Sequence, residues 1–225
     1  MEQGGDTYEN CELPIAPSEI DAICLTHAHI DHSGMIPAMV AKGYAGPVSC
    51  TEATHRLCNI MLQDSAHIQE QEAEWQNRKA ERSGYQQYVP VYTVADALES
   101  LKLFEGHGYN KPVEIFEGVT INFCDAGHLL GSSSIHITVN ENGEERTVLF
   151  SGDLGNIDRP LIRNPQNPPY ADYVVIESTY GDRVHGERPD YIAQLTKIMQ
   201  ETFSKGGNLV IPSFAIGRTQ ELLYL

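Results

Sequence analysis

The stretch His27-Ala28-His29-Ile30-Asp31-His32 decides the reading of this chain. It places four potential metal ligands within six positions, directly after the apolar run Ala22-Ile23-Cys24-Leu25. Imidazoles and a carboxylate crowded this closely repel when charged and go unsatisfied when buried. A bound cation removes both penalties. The stretch reads as the anchor of a metal site, with the rest of the chain supplying the scaffold and the remaining ligands.

Working outward, Ile20 to Thr26 reads as a short buried strand ending at the cluster. Ser33-Gly34 then opens a helix whose Met35, Ile36, Met39 and Val40 fall at helical spacing, with Gly43 as its stop. The ligands therefore lie on a strand-to-helix loop, where functional groups are commonly displayed. Val48-Ser49-Cys50 is a short strand after the Gly46-Pro47 turn. Thr51 or Thr54 caps a long helical stretch with Leu57, Ile60, Met61 and Ile68 on its apolar face. Its polar part, Gln69 to Arg82, is expected to be a solvated helix or lid. A further helix is expected from Val94 to Phe104, with Ala97, Leu98 and Leu101 inward, followed by a loop at Gly106-His107-Gly108-Tyr109-Asn110.

From Val113 the pattern turns β. Val119 to Phe123 alternates and runs into Asp125-Ala126-Gly127-His128. Ile135, Ile137 and Val139 alternate with Ser134, His136 and Thr138, as in a half-buried strand. Glu141-Asn142-Gly143-Glu144 is a hairpin turn, and Thr147 to Phe150 returns into Ser151-Gly152-Asp153. A proline-rich loop spans residues 158–170. Tyr173 to Ile176 reads as a buried strand delivering Glu177 at its end. An amphipathic helix from Pro189 to Phe203 turns Ile192, Leu195, Ile198, Met199 and Phe203 inward and stops at Gly206-Gly207. Asn208 to Pro212 reads as another buried strand, and Gly217 opens a last helix.

The composition bounds these readings. A chain of 225 residues with 41% hydrophobic and 20% charged residues suits one large or two small globular domains. No apolar run approaches the ~20 residues of a membrane span, and the acidic start Met1-Glu2-Gln3-Gly4-Gly5-Asp6 is no secretory signal. Five scattered cysteines without a C-x-x-C pair favour reduced thiols in a cytoplasmic protein. The net charge of −16 argues against a broad basic nucleic-acid footprint. It leaves room for a nucleic-acid enzyme whose cations are concentrated at the reacting centre.

A ligand-type residue recurs at strand tips: the His27 cluster, His128, Asp153 and Glu177. Four such tips describe a single rim. Nitrogen and carboxylate ligands suit zinc, with manganese or iron as alternatives. His27 and His29 can converge on one ion, Asp31 and His32 face a neighbouring one, and the two oxygens of Asp153 can bridge both. Two ions ~3.5–4 Å apart can stabilise both the attacking and the leaving oxygen of a phosphoryl displacement.

With these motifs the sequence resembles the metallo-β-lactamase superfamily, whose H-x-H-x-D-H signature matches residues 27–32. His128 and Asp153 match its next ligand motifs. Glu177-Ser178-Thr179-Tyr180-Gly181 is similar to the acidic motif of the β-CASP branch. The segment from Ile211-Pro212-Ser213-Phe214 through Ala215-Ile216-Gly217-Arg218 to Thr219-Gln220-Glu221 is similar to the start of the inserted β-CASP domain. The resemblance implies an α/β fold, an αββα sandwich of mixed sheets flanked by helices. Residues 1–185 would be its core and residues 186–225 the beginning of a β-CASP insertion. It implies zinc held by His27, His29, His128 and Asp153, and a second zinc by Asp31, His32 and Asp153. Catalytic roles fall to Asp31 and to Glu177, which would orient a general-acid histidine. The implied substrate is RNA, cleaved in processing or decay, in a homo-oligomer or an RNA-processing complex away from membranes. The family's first strands, its two downstream histidine motifs and its closing strands find no counterpart, so the chain is expected to be an internal portion of a longer enzyme.

Other readings stand beside this one. A small-molecule thioester or lactone hydrolase of the same superfamily suits the acidic charge, but lacks the β-CASP motifs. A non-catalytic RNA-processing subunit tends to lose ligands, and here every expected one is intact. Arg218, in the first turn of a helix, suits a phosphate or a structural ion pair equally. His55 and His67 are read as ordinary helix residues, and His136 lies on the polar side of its strand. His107 and His185 sit in loops. Ser132-Ser133-Ser134 either lines the site or packs the strand start, and the cysteines are small core residues.

Overall fold

The computed structural model describes residues 15–80, 87–184, 186 and 190–225. The loop-like stretch 1–14 with Cys11, the end of the polar stretch at Glu81 and Arg82, His185 and the helix start at Pro189 lie outside the described residues.

A three-stranded parallel sheet is built from β1 (Ile23–Cys24), β2 (Val48–Thr51) and β3 (Phe104–His107). Parallel neighbours require crossovers. These are the short helices α1 (Ile30–Ser33) and α2 (Ile36–Ala41), then the long α3 (Glu52–Ala80) and α4 (Val94–Leu101). Helices cover one face of this sheet, so all four residues of β2 are buried. Val48, Cys50 and Phe104 pack there with Ala28, Ile36, Leu62 and Ala97.

The second sheet runs in the order β4 (Val113–Phe116), β5 (Val119–Asp125), β6 (Ser133–Glu141), β7 (Glu144–Phe150), β8 (Tyr173–Val175). It is antiparallel except for the parallel β7–β8 pair. Asn142 and Gly143, both at positive φ, form the tight turn between β6 and β7. The sheets meet face to face: Cys24 and Tyr109 pack on Ile121, Phe123 and Ile135, and the His107 ring stacks on Phe123. The result is the expected mixed α/β arrangement of sheets flanked by helices.

Several local expectations are corrected. α4 ends at Leu101, and Phe104 to His107 is a strand, because that segment completes the ladder with β2. His107 therefore lies in the sheet, not in a loop. The buried stripe of α3 is Cys58, Leu62, Ala66 and Ala73, and Ile60 and Ile68 are exposed, as is Leu98 of α4. Cys58, Ala66 and Ala73 are small residues that face inward with Leu62, and Ile60 and Ile68 are turned out. The polar end of α3 also does more than meet solvent. Gln69, Glu70 and Asn77 accept bonds from the backbone N–H groups of Val91, Val94 and Tyr88. They tie down the segment that leads into α4.

β1 is shorter than expected, although the Leu25 N–H still bonds Ser49 O at 2.9 Å. β8 is an exposed edge strand and not a buried one, since no described element covers it. The apolar face of α5 (Tyr191–Ser204) is likewise exposed at Ile192, Ile198, Met199 and Phe203. Residues 208–212 form no strand, and Val210 is exposed; they have no ladder partner among the described residues. A short helix, α6 (Arg218–Tyr224), follows Gly217 as expected.

Candidate metal centre

Each ligand-bearing loop is pinned by hydroxyl groups. Thr26 O accepts from both the N–H (2.9 Å) and the hydroxyl (3.0 Å) of Ser133, which fastens the end of β1 to the start of β6. His27 follows this clamp directly. Ser33 donates to the carbonyls of Ala28 and His29 at 3.2 and 3.0 Å. The turn after His128 is closed by Ser132, whose Oγ accepts from the backbone N–H groups of His128 and Leu129. Its far side is anchored where Thr51 and Thr54 donate to Gly131 O at 2.7 and 2.8 Å. The Asp153 loop is held between β6 and β8: Ser134 donates to Ser151 O, and the Glu177 N–H donates to Ser151 Oγ. The parallel β7–β8 pairing thus brings Asp153 and Glu177 out at neighbouring tips.

Two glycines allow the loops to close. Gly152 sits at φ +57, next to Asp153, a conformation that disfavours a side chain. Gly155 lies against Gly127, where any Cβ would overlap the Gly127 carbonyl; its N–H bonds Ala126 O at 2.8 Å. The loop after Asp153 is thereby pressed onto the His128 turn.

Four side chains converge on one point. His27 Nε2 and His29 Nδ1 are 3.1 Å apart, as are His29 Nδ1 and His128 Nε2. Asp153 Oδ2 is 3.5 Å from both His27 Nε2 and His128 Nε2. Ligand atoms ~2.1 Å from a tetrahedral ion stand roughly 3.4 Å apart, so the spacing fits a cation. Protons fit it poorly: one N–H cannot serve both ring contacts of His29 well. His27 Nδ1 is already engaged at 3.1 Å with Thr26 Oγ1, which leaves Nε2 to point inward.

A second group lies alongside. His32 Nε2 is 3.3 Å from Asp153 Oδ1 and 3.5 Å from Asp31 Oδ2. Both Asp31 and His32 lie on α1, so the helix begins inside the ligand motif. The two oxygens of Asp153 therefore face two different ligand groups.

Electrostatics favour the neutral form of His27, His29 and His128. Burial, reinforced by the neighbouring rings of His32, His29 and His128, lowers the His27 pKa to about 2. Burial also lowers His29 and His128, against the opposing pull of Asp153 on each. Neutral imidazole is the form that binds metal. Glu177 Oε1 accepts from the Leu154 N–H at 2.6 Å and Oε2 from the Thr179 hydroxyl at 2.8 Å. Its charge acts on His128 in the same direction as that of Asp153.

All six sequence-derived ligand residues, and Glu177 beside them, are thus gathered at one rim. Arg218 is not among the ligands of the cluster; it pairs with Glu221. His55 and His67 sit on α3 away from the rim, as expected, whereas His136 is buried and bonded to Tyr170 O at 3.0 Å rather than facing outward. Ser132, Ser133 and Ser134 hold the loops; they do not line the site. Thr26, Ser33 and Ser151 do the same and were missed as positioning residues. Their signal was a hydroxyl residue flanking each ligand motif.

With this geometry in place, the comparisons with known proteins decide the family. The profile of the Metallo-beta-lactamase superfamily matches residues 4–199. The chain belongs to the metallo-β-lactamase superfamily. Within it, the chain is 36% identical over 231 residues to Ribonuclease TTHA0252 of Thermus thermophilus, covering 100% of this chain and 47% of that protein. It is 32% identical over 209 residues to Transcription termination factor FttA of Methanocaldococcus jannaschii, covering 91% of this chain and 30% of that protein. It is 29% identical over 225 residues to the RNase J-like protein of the same organism, covering 98% of this chain and 47% of that protein. The chain spans about half or less of these relatives. Their names agree with the RNA-processing β-CASP branch that the motifs resemble.

Proposed function

We propose that this chain carries the metal centre of a zinc-dependent ribonuclease of the β-CASP branch, acting by hydrolysis of RNA phosphodiester bonds. The observation that carries the reading is the divided carboxylate of Asp153, with Oδ2 toward His27 and His128 and Oδ1 toward His32. A carboxylate divided in this way suits a two-metal phosphoryl site. The names of two relatives, a ribonuclease and an RNase J-like protein, support RNA as the substrate.

In this reading His27, His29, His128 and Asp153 hold the first zinc, and Asp31, His32 and Asp153 hold the second. Bound divalent metal supplies Lewis acidity and a water of lowered pKa. The protein's own groups do the rest. The half-exposed Asp31 carboxylate accepts a proton at the mouth of the site. Glu177 fixes the Asp153 loop through Leu154, and in this reading it would orient a general-acid histidine that protonates the leaving oxygen. Residues 1–185 form the superfamily core and residues 186–225 open the β-CASP insertion. Free thiols at Cys24, Cys50, Cys58 and Cys124 suit a cytoplasmic protein. No described helix is long and apolar enough to cross a membrane.

The test is metal analysis combined with RNA cleavage by the full-length protein. Bound zinc and RNA cleavage that vanish together in Asp153→Ala support the reading. Hydrolysis of a thioester with none of RNA would replace it with a small-molecule hydrolase.

A further inference from the structure

A second charged constellation stands outside the ligand cluster. Glu221 of α6 is only 7% exposed, yet it meets two guanidinium groups. Arg159 Nε is 3.2 Å from Glu221 Oε1, and Arg218 Nε is 3.6 Å from Glu221 Oε2. One carboxylate offsets one of the two cations, so the trio keeps a net positive charge. Both arginines approach Glu221 through Nε, and neither has another ion-pair partner among the described residues. Their terminal Nη groups are left to serve a further anion, and guanidinium forks match phosphate oxygens well.

The position of the trio bears on the metal centre. Arg159 follows Asp153 by six residues, on the loop that Gly155 presses against the His128 turn. In a chain with 15 basic against 31 acidic side chains, a persistent positive charge on the loop that leaves Asp153 is not a product of composition.

We infer that Arg159 and Arg218, aligned by Glu221, form a phosphate-binding pair that receives an RNA phosphate flanking the one cleaved at the metal centre. The inference rests on the ribonuclease reading above. Glu221 is a positioning residue: it holds the two forks side by side and touches no substrate. A purely structural ion trio would stabilise the packing of α6 on the 158–170 loop and leave RNA affinity unchanged.

The test uses the full-length protein and a labelled single-stranded RNA, with KM, kcat and the salt dependence of binding measured together. Arg218→Gln removes a largely exposed side chain and is expected to raise KM about tenfold, more than it lowers kcat. The slope of log Kd against log salt should fall by about 0.7 for each phosphate that is no longer neutralised. Arg159→Gln should act the same way, and Arg159→Lys should restore the slope without restoring full affinity. If Arg159→Gln does not fold, Arg218→Gln decides. Wild-type KM and slope in Arg218→Gln, with RNA cleavage intact, overturn the pair alone. Absence of RNA binding and cleavage in the wild-type protein overturns the ribonuclease reading, and the pair with it.

Discussion

Glu177 accepts a hydrogen bond from the backbone N–H of Leu154 at 2.6 Å, and this bond joins the tip of β8 to the residue beside Asp153. The carboxylate thus sets the position of a ligand without touching the ligand itself. Glu177→Ala is expected to weaken metal binding roughly 10- to 100-fold, the usual cost of losing an outer partner. Competition with a chromophoric chelator measures this directly. Wild-type affinity in the variant would show that the loop holds Asp153 unaided.

Asp153→Ala removes the one side chain among the described residues that faces both ligand groups. The expected outcome is loss of metal from both positions and a fall in RNA cleavage of roughly three orders of magnitude. Elemental analysis of the purified variant checks the first, and single-turnover cleavage the second. Full metal content would exclude the bridging role.

The imidazoles also make a pH prediction for chelator-treated protein. His27 falls from an ordinary 6.5 to about 2 in the folded chain. Between those values the unfolded chain binds a proton that the folded chain refuses, so stability drops as pH falls through this window. Above it the group contributes no pH dependence. His29 and His128 shift in the same direction. The thermal midpoint should therefore be lower near about pH 5 than near about pH 7.5. An equal midpoint at both values would contradict the burial of His27.

Ser132→Ala removes the acceptor for the N–H groups of His128 and Leu129. Leaving buried donors unmade costs about 1–3 kcal/mol. Urea denaturation should show that loss, with weaker metal binding because the His128 turn is released. Unchanged stability would mean that water replaces the hydroxyl.

The metal centre was legible because its chemistry is local. His27, His29, Asp31 and His32 are adjacent, and His128, Asp153 and Glu177 each follow a readable strand. What escaped the sequence depended on tertiary pairing. Phe104 to Glu105 carries no strong strand pattern and becomes β3 only through its ladder with β2. The inward stripe of α3 is made of Cys58, Leu62, Ala66 and Ala73, and three of these are small residues that stand out less than Ile60 and Ile68. The apolar patterns of β8 and α5 announce faces that call for cover, and no described element supplies it. Arg159 gave no sign at all, since its partner lies 62 positions away and the pairing is visible only in three dimensions.

The ligand side chains differ sharply in exposure: His27 at 1%, His128 at 26%, Asp153 at 28%, His32 at 30% and Asp31 at 55%. That gradient sets a kinetic order. A ligand open to water exchanges its partner for solvent readily, while one sealed beneath the sheet ends must wait for the loops to part. A cation on the Asp31 and His32 side would therefore turn over quickly, and one held at His27 would turn over slowly. Dialysis against a chelator should strip the protein in two phases, the outer position first.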